Sequence, residues 1–305
     1  MGRTKGLWAG IVTGAILATT PATFAEEDPN ATGLIEGARW HHVEINSTDP
    51  AASAAYYEKH FDAYVTDFPG SDAAIRAQHV YLLFNEVDEP ASTALNTAIM
   101  HIGWGAPDPH RAFERQKDLG ADFSVPIRDI SGSFSDLPYG SFYFMYIRSP
   151  DGTIIELNTS HTNDFGHIHM YAADPVATGD WWIRYFGVTG RPLSTADDYE
   201  TEMTNGLSGR PGERSSHMFD QVNMIIYPDF GARRSKDWVG DELQTTRGTV
   251  NDHIGISVAD LDAALALFRA DGVTILEEAS EMSEGVRHAF IEGPDAVVIE
   301  LLELS

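Results

Sequence analysis

The chain has no cysteine among its 305 residues. Disulfides, thiolate nucleophiles, thiolate-bound zinc, iron–sulfur clusters and lipid attachment through sulfur are therefore excluded. Any metal must be held by His, Asp or Glu. Basic residues are also scarce: 20 Lys and Arg stand against 46 Asp and Glu, a formal charge of -26. Such a surface repels phosphate backbones and anionic lipid, which argues against nucleic-acid binding. No phosphate loop, dinucleotide fingerprint, serine elbow or zinc-protease motif occurs. With 43% apolar and 22% charged residues the composition is that of a folded globular chain, long enough for about two domains.

Arg3 and Lys5 precede an uncharged small and apolar run, Gly6 to Thr19, then Pro21 and Thr23-Phe24-Ala25. This is the three-part pattern of a secretory signal over residues 1–25, with cleavage after Ala25, because the run is short for a bilayer span. The expectation is an exported protein, periplasmic or extracellular, with no membrane association once the signal is removed. Residues 26–38 read as an arm or linker.

The remainder repeats one unit four times. Each copy opens with a short strand: Trp40 to Ile45, Met100 to Trp104, Gly166 to Tyr171, Asp252 to Val258. Asp49-Pro50, Asp108-Pro109, Asp174-Pro175 or Asp260-Leu261 follows as a helix start. Asp caps free N–H groups there, and Pro suits the first helical position. Three helices close at Leu119-Gly120, Phe186-Gly187 and Asp271-Gly272. Runs rich in β-branched and aromatic residues come next, about three strands per copy. The predicted fold is α+β, with four βαβββ modules forming two paired, curled mixed sheets and the helices outside. Consecutive modules are expected to pair, giving domains at 39–160 and 161–305, with a surface loop over 194–216.

In every copy a strand histidine precedes the capping Asp by seven residues: His42, His101, His167 and His253. Side chains alternate along a strand, so these imidazoles share one side. His42 would share it with Trp40 and Glu44, while Val43 and Ile45 face the helix. Glu156 and Glu300 each sit between apolar neighbours in a last strand, where a carboxylate is costly unless paired or bound to a cation. Two His and one carboxylate make the facial triad of non-heme iron. Consecutive pairing assembles two such sets: His42, His101 and Glu156; and His167, His253 and Glu300. His169, His217, Tyr227 and His288 are expected to line the second cavity, where an imidazole near neutral pKa can move a proton. His217, His288 and Tyr227 are the catalytic candidates. Tyr143 and Tyr146 are candidates for the first cavity, and Arg233-Arg234 for meeting an anionic substrate.

The registered histidines, the Ser149-Pro150-Asp151-Gly152 turn and the Glu156 and Glu300 strands resemble the vicinal oxygen chelate superfamily, over about residues 39–303. That superfamily includes glyoxalase I, fosfomycin-resistance enzymes, bleomycin-binding proteins and extradiol dioxygenases. The resemblance implies metal ligands at the two sets named above. It also implies a divalent ion, iron(II) first with zinc, nickel or manganese as alternatives, and a small oxygen-chelating organic substrate. Dioxygenase-type oxidation is the leading expectation. A glyoxalase-type lyase or isomerase, or an exported binding protein without catalysis, are the alternatives, and a homodimer is an allowed assembly. The pattern departs from its relatives at Ala296, where they carry Gly. It departs again at Tyr81 to Phe84, where glyoxalase I supplies a second glutamate and Glu86 is the nearest acid.

Overall fold

The computed structural model describes residues 33–94, 96–133, 140–190, 214–229, 240 and 242–305. The leader pattern, Arg233-Arg234 and nearly all of the 194–216 stretch lie outside the described residues.

Among the described residues, every α-helix is preceded by one strand and followed by three. The order begins β1 (Arg39–Ser47), α1 (Pro50–His60), β2 (Tyr64–Thr66), β3 (Ala73–Ala77) and β4 (Val80–Glu86). It continues with β5 (Ile99–Ala106), α2 (Pro109–Asp118), β6 (Asp122–Asp129), β7 (Tyr143–Arg148) and β8 (Ile154–Thr159). Next come β9 (Phe165–Ala172), α3 (Pro175–Phe186), β10 (Thr189–Gly190), β11 (Ser215–Phe219) and β12 (Val222–Pro228). The last unit holds β13 (Asn251–Ser257), α4 (Leu261–Ala270), β14 (Ile275–Ser283), β15 (Val286–Glu292) and β16 (Val298–Leu304). All four expected Asp residues cap their helices. Their carboxylates accept from the backbone N–H of Ala52, Arg111, Val176 with Ala177, and Ala263, each cap being worth about 1 kcal/mol. The third helix ends on Gly187 in the left-handed region (φ 64°), where a Cβ would be strained.

The strands form two open, mixed eight-stranded sheets. One runs β14-β15-β16-β13-β1-β4-β3-β2 and the other β10-β11-β12-β9-β5-β8-β7-β6. The α+β expectation of two paired, curled sheets therefore holds. The expected partners do not. The first unit pairs with the fourth, through antiparallel β1 and β13, and the second with the third, through antiparallel β5 and β9. The division at 160/161 consequently cuts both sheets. Consecutive units meet instead through turns: Asp151 accepts from the Ser53 hydroxyl on α1, and Asp295 from the Ala173 N–H and the Thr178 hydroxyl on α3.

One face of each sheet carries the apolar core. Val43, Ile45, Ile102, Ile168 and Ile254 are fully buried there with the helix residues Tyr57, Trp182 and Phe268. Phe61 stacks on Trp104 at 4.2 Å, and Trp181 packs on Tyr185 and Phe268. The histidines take the opposite face. The side-chain alternation is shifted by bulges, because register slips leave one extra residue before each ligand-strand histidine: His41, Met100, Gly166 and Asp252. A bulge re-aims side chains by breaking the period of two. Trp40, expected beside His42, accordingly joins the core and packs edge-on to Phe219.

Candidate metal centres

Two clusters arise where the central strands meet. Neither is the set expected from consecutive pairing, because His42 and His101 stand in different sheets, as do His167 and His253.

The first centre takes His42 from β1, His253 from β13 and Glu300 from β16. His42 lies opposite Gly255, and Gly255 beside Glu300, so the three side chains flank one point. His42 Nε2 is 3.3 Å from His253 Nε2 and 3.2 Å from Glu300 Oε2, and His253 Nε2 is 3.6 Å from the same oxygen. All three residues are buried. Gly255 makes this possible: a Cβ there would stand 1.9 Å from His42 Cε1. The outer contacts are complete. Asp252 Oδ1 accepts from His253 Nδ1 at 2.8 Å, and its other oxygen accepts from Asn46 Nδ2 and the Gly248 N–H. His41 Nδ1 lies 2.9 Å from His42 Nδ1, and His288 Nδ1 2.6 Å from Glu300 Oε1. Glu44, opposite His253, joins His42 and His253 as a third potential ligand, and its buried Oε1 has no hydrogen-bond partner among the described residues.

The electrostatics follow from burial and contact. Burial raises the Glu300 carboxyl, but hydrogen bonds from His253, His288 and His42 outweigh it and hold the group well below the usual carboxylate range. Burial lowers His253, yet bonds to Asp252 and Glu300 lift it to about 10. Burial pushes Glu44 up to about 8, and burial with the neighbouring His42 brings His41 down to about 3.

The second centre takes His101 from β5, Glu156 from β8, and His167 and His169 from β9. One donor atom from each lies within 4.8 Å of the others. Glu156 Oε2 is 2.9 Å from His101 Nε2, 3.8 Å from His169 Nδ1 and 3.9 Å from His167 Nε2. Gly103 is the counterpart of Gly255: a Cβ there would stand 2.0 Å from His167 Nε2. Despite the 2.9 Å approach, neither His101 Nε2 nor Glu156 Oε2 is aligned for a hydrogen bond. His167 Nε2, His101 Nδ1 and both nitrogens of His169 are also buried without partners among the described residues. Buried polar atoms are nearly always satisfied, so one unpartnered donor atom from each of these residues, gathered within 4.8 Å, fits a bound cation. Burial lowers His167 to about 4 and His169 well below its ordinary value, keeping neutral imidazoles with lone pairs to donate. Glu156, raised by burial, is brought below its ordinary value by His101 and His167.

The candidate proton carriers are dispersed. His288 contacts Glu300 at the first centre. The Tyr227 ring lies 5.3 Å from His169, and Tyr146, opposite Glu156, lies 5.1 Å from His101, so both border the second centre. His217 borders neither. It points to the core face, where Cβ atoms on Gly179 of α3 and on Gly190 would overlap its ring. Tyr143 sits at the start of β7, packed against His110. Glu86 ends β4 exposed, its N–H bonded to Asp72. Glu44 is the acid that reaches the first centre instead. Its signal was the two-residue spacing from His42, the same that separates His169 from His167. A shallow surface groove of about 400 Å³ beside Tyr56, Asp122 and the Ser149 to Gly152 turn contains none of these ligands.

Comparisons with known proteins agree with the paired mixed sheets. Residues 39–157 match the family described as the Glyoxalase/Bleomycin resistance protein/Dioxygenase superfamily. Glyoxalase I from Zea mays superposes with a TM-score of 0.61 over 87% of this chain and 92% of its own, at 15% identity. A V278E mutant of that enzyme gives 0.62 at the same identity and coverage. A candidate dioxygenase from Bacillus subtilis gives 0.56 over 87% and 84%, at 11% identity. At such identities the likeness is one of fold, which the chain shares with these proteins. No curated protein sequence matches.

Proposed function

We propose that the chain is a divalent-metal enzyme of this superfamily, with the first centre as its working site on a small organic substrate that offers two neighbouring oxygens. The observation that carries the reading is the convergence of His42 Nε2, His253 Nε2 and Glu300 Oε2 within 3.2–3.6 Å. A bound divalent ion would supply Lewis acidity and, if iron(II), redox chemistry with dioxygen. The chain's own residues supply the rest. Asp252 and His41 fix the ring orientations of the two ligands, a second layer that tunes metal sites. The His288 side chain is 20% exposed, so its Nε2, remote from the Glu300 contact, can exchange a proton with water. Phe68, Tyr81 and Phe290 are half-buried around this centre, with the Arg76 guanidinium 4.3 Å over Tyr81. Among the described residues no carboxylate lies within 4 Å of Arg76, which suits it to an anionic substrate oxygen.

The two-His, one-carboxylate set favours oxygenation with iron(II). Glu44 favours a second reading, glyoxalase-type isomerisation, because a buried carboxyl beside the ligands can move a proton at Oε1. The leader pattern of residues 1–25 supports export to the periplasm or medium. Metal analysis with oxygen uptake on catechols tests the reading. Iron with oxygen consumption supports oxygenation, and nickel or zinc with anaerobic turnover of a hemithioacetal supports isomerisation. Metal-free protein that binds a ligand without turnover refutes both.

A further inference from the structure

We propose that His169 is a fourth protein ligand of the second centre, and that this centre takes a late first-row divalent ion such as zinc, different from the ion of the first. The inference rests on the reading of both clusters as metal centres.

The two centres are built on the same strand frame but diverge at two kinds of position. The first is the residue two places after the ligand histidine on β1 and β9. It is Glu44 opposite His253 in one centre, and His169 opposite His101 in the other. The donor sets thus become two imidazoles with carboxylates, against three imidazoles with one carboxylate. Two His with a carboxylate and open positions is the pattern of non-heme iron(II), and added carboxylate suits manganese, whereas a set dominated by imidazole also suits zinc, nickel and copper.

The second is the bulge residue before each histidine. In the first centre these are His41 and Asp252, which contact the Nδ1 atoms of His42 and His253. In the second they are Met100 and Gly166, which offer no hydrogen-bonding side chain for that purpose. Ligation would satisfy one nitrogen of each imidazole at the second centre, where no bulge side chain does so. His169 is 1% exposed, and neither of its nitrogens has another partner among the described residues. An ion with bonds of about 2.0–2.2 Å in a tetrahedral shell needs ligand atoms roughly 3.3–3.6 Å apart. The observed separations from Glu156 Oε2, at 2.9, 3.8 and 3.9 Å, bracket that span. Four protein donors fill a four-coordinate shell, the pattern of structural zinc rather than of an open reacting site.

The test uses full-length protein stripped of metal. One equivalent of zinc is added to the wild type and its absorption edge is analysed for scatterers. Three imidazoles and one carboxylate are expected, and two imidazoles overturn the assignment. His169→Ala is expected to weaken zinc binding by about 100-fold or more while leaving iron(II) affinity at the first centre unchanged. His169→Gln serves if alanine fails to fold, and unaltered zinc affinity in the folded variant overturns the proposal. Iron held by the first centre with no zinc taken by the second refutes this inference alone. Metal refused by both refutes the functional reading with it.

Discussion

Gly255→Ala adds one carbon at the most crowded point of the first centre. That carbon would lie 1.9 Å from His42 Cε1, 2.0 Å from Nδ1 and 2.6 Å from Nε2. Carbon contacts settle near 3.5–4.0 Å, so the ring and the strand must separate by roughly 1.5 Å or more. Metal ligands tolerate only about 0.2 Å. His42 is fully buried and held between Gly255 and the His41 contact, so it cannot swing away cheaply. The overpacking should cost about 1–3 kcal/mol of stability, and the first centre should lose its ion. Gly103→Ala should do the same to His167 and the second centre. Metal per folded chain, measured by elemental analysis beside a thermal melt, reads both effects. Each single variant should drop from two ions to one, and the double variant to none. If Gly255→Ala folds and keeps the wild-type affinity for both ions, His42 does not stand where a ligand must, and the reasoning fails.

Three further outcomes are expected. Asp252→Asn removes the carboxylate from His253 Nδ1 and should weaken the first centre's metal by about 10–100-fold while sparing the second, as competition with a chelator would read. Burial lowers His217 from 6.5 to about 4, so between those values the unfolded chain takes the proton more readily than the folded one. Its neutral burial is therefore without penalty above pH 6.5 and costs stability as pH falls towards 4, by about 3 kcal/mol in all. His217→Phe should shrink the stability lost between pH 7 and 4 by about that amount in denaturant titrations, and an unchanged loss would contradict the assignment. Coexpressed fragments 1–160 and 161–305 should copurify, since each sheet needs strands from both. Fragments that behave as independent folded monomers would contradict the strand order.

The local pattern of the chain reports local structure well. The four capping Asp residues, the strand histidines and the buried Glu156 and Glu300 lie where spacing and chemistry place them. The partnership of units was not legible, because a strand of the β1 type carries the same alternation whichever strand it pairs with. The pairing of β1 with β13 joins residues about 210 apart in sequence, and nothing local to β1 specifies it. The bulges hide in the same way: nothing in Trp40-His41-His42 announces an extra residue, and simple alternation puts Trp40 on the face opposite to the one it takes. The strand face of His217 is decided by its contact with α3, which its own sequence does not announce. Glu44, His169, Gly103 and Gly255 were legible in principle, each two residues beyond a ligand histidine.

The nested strand order sets a sequence of assembly. The donors of the second centre run from residue 101 to 169. The first centre joins His42, near the start of the described chain, to Glu300, near its end. Closing so long a loop carries an entropic cost that grows only slowly with length, but it has to wait for the last strand to be made. The inner pair of units can be complete while the ribosome is still working, whereas the outer pair closes last, like a clasp. Loss of β16 alone would leave that clasp open, so metal uptake at His42 and His253 reports that β16 has been made and docked.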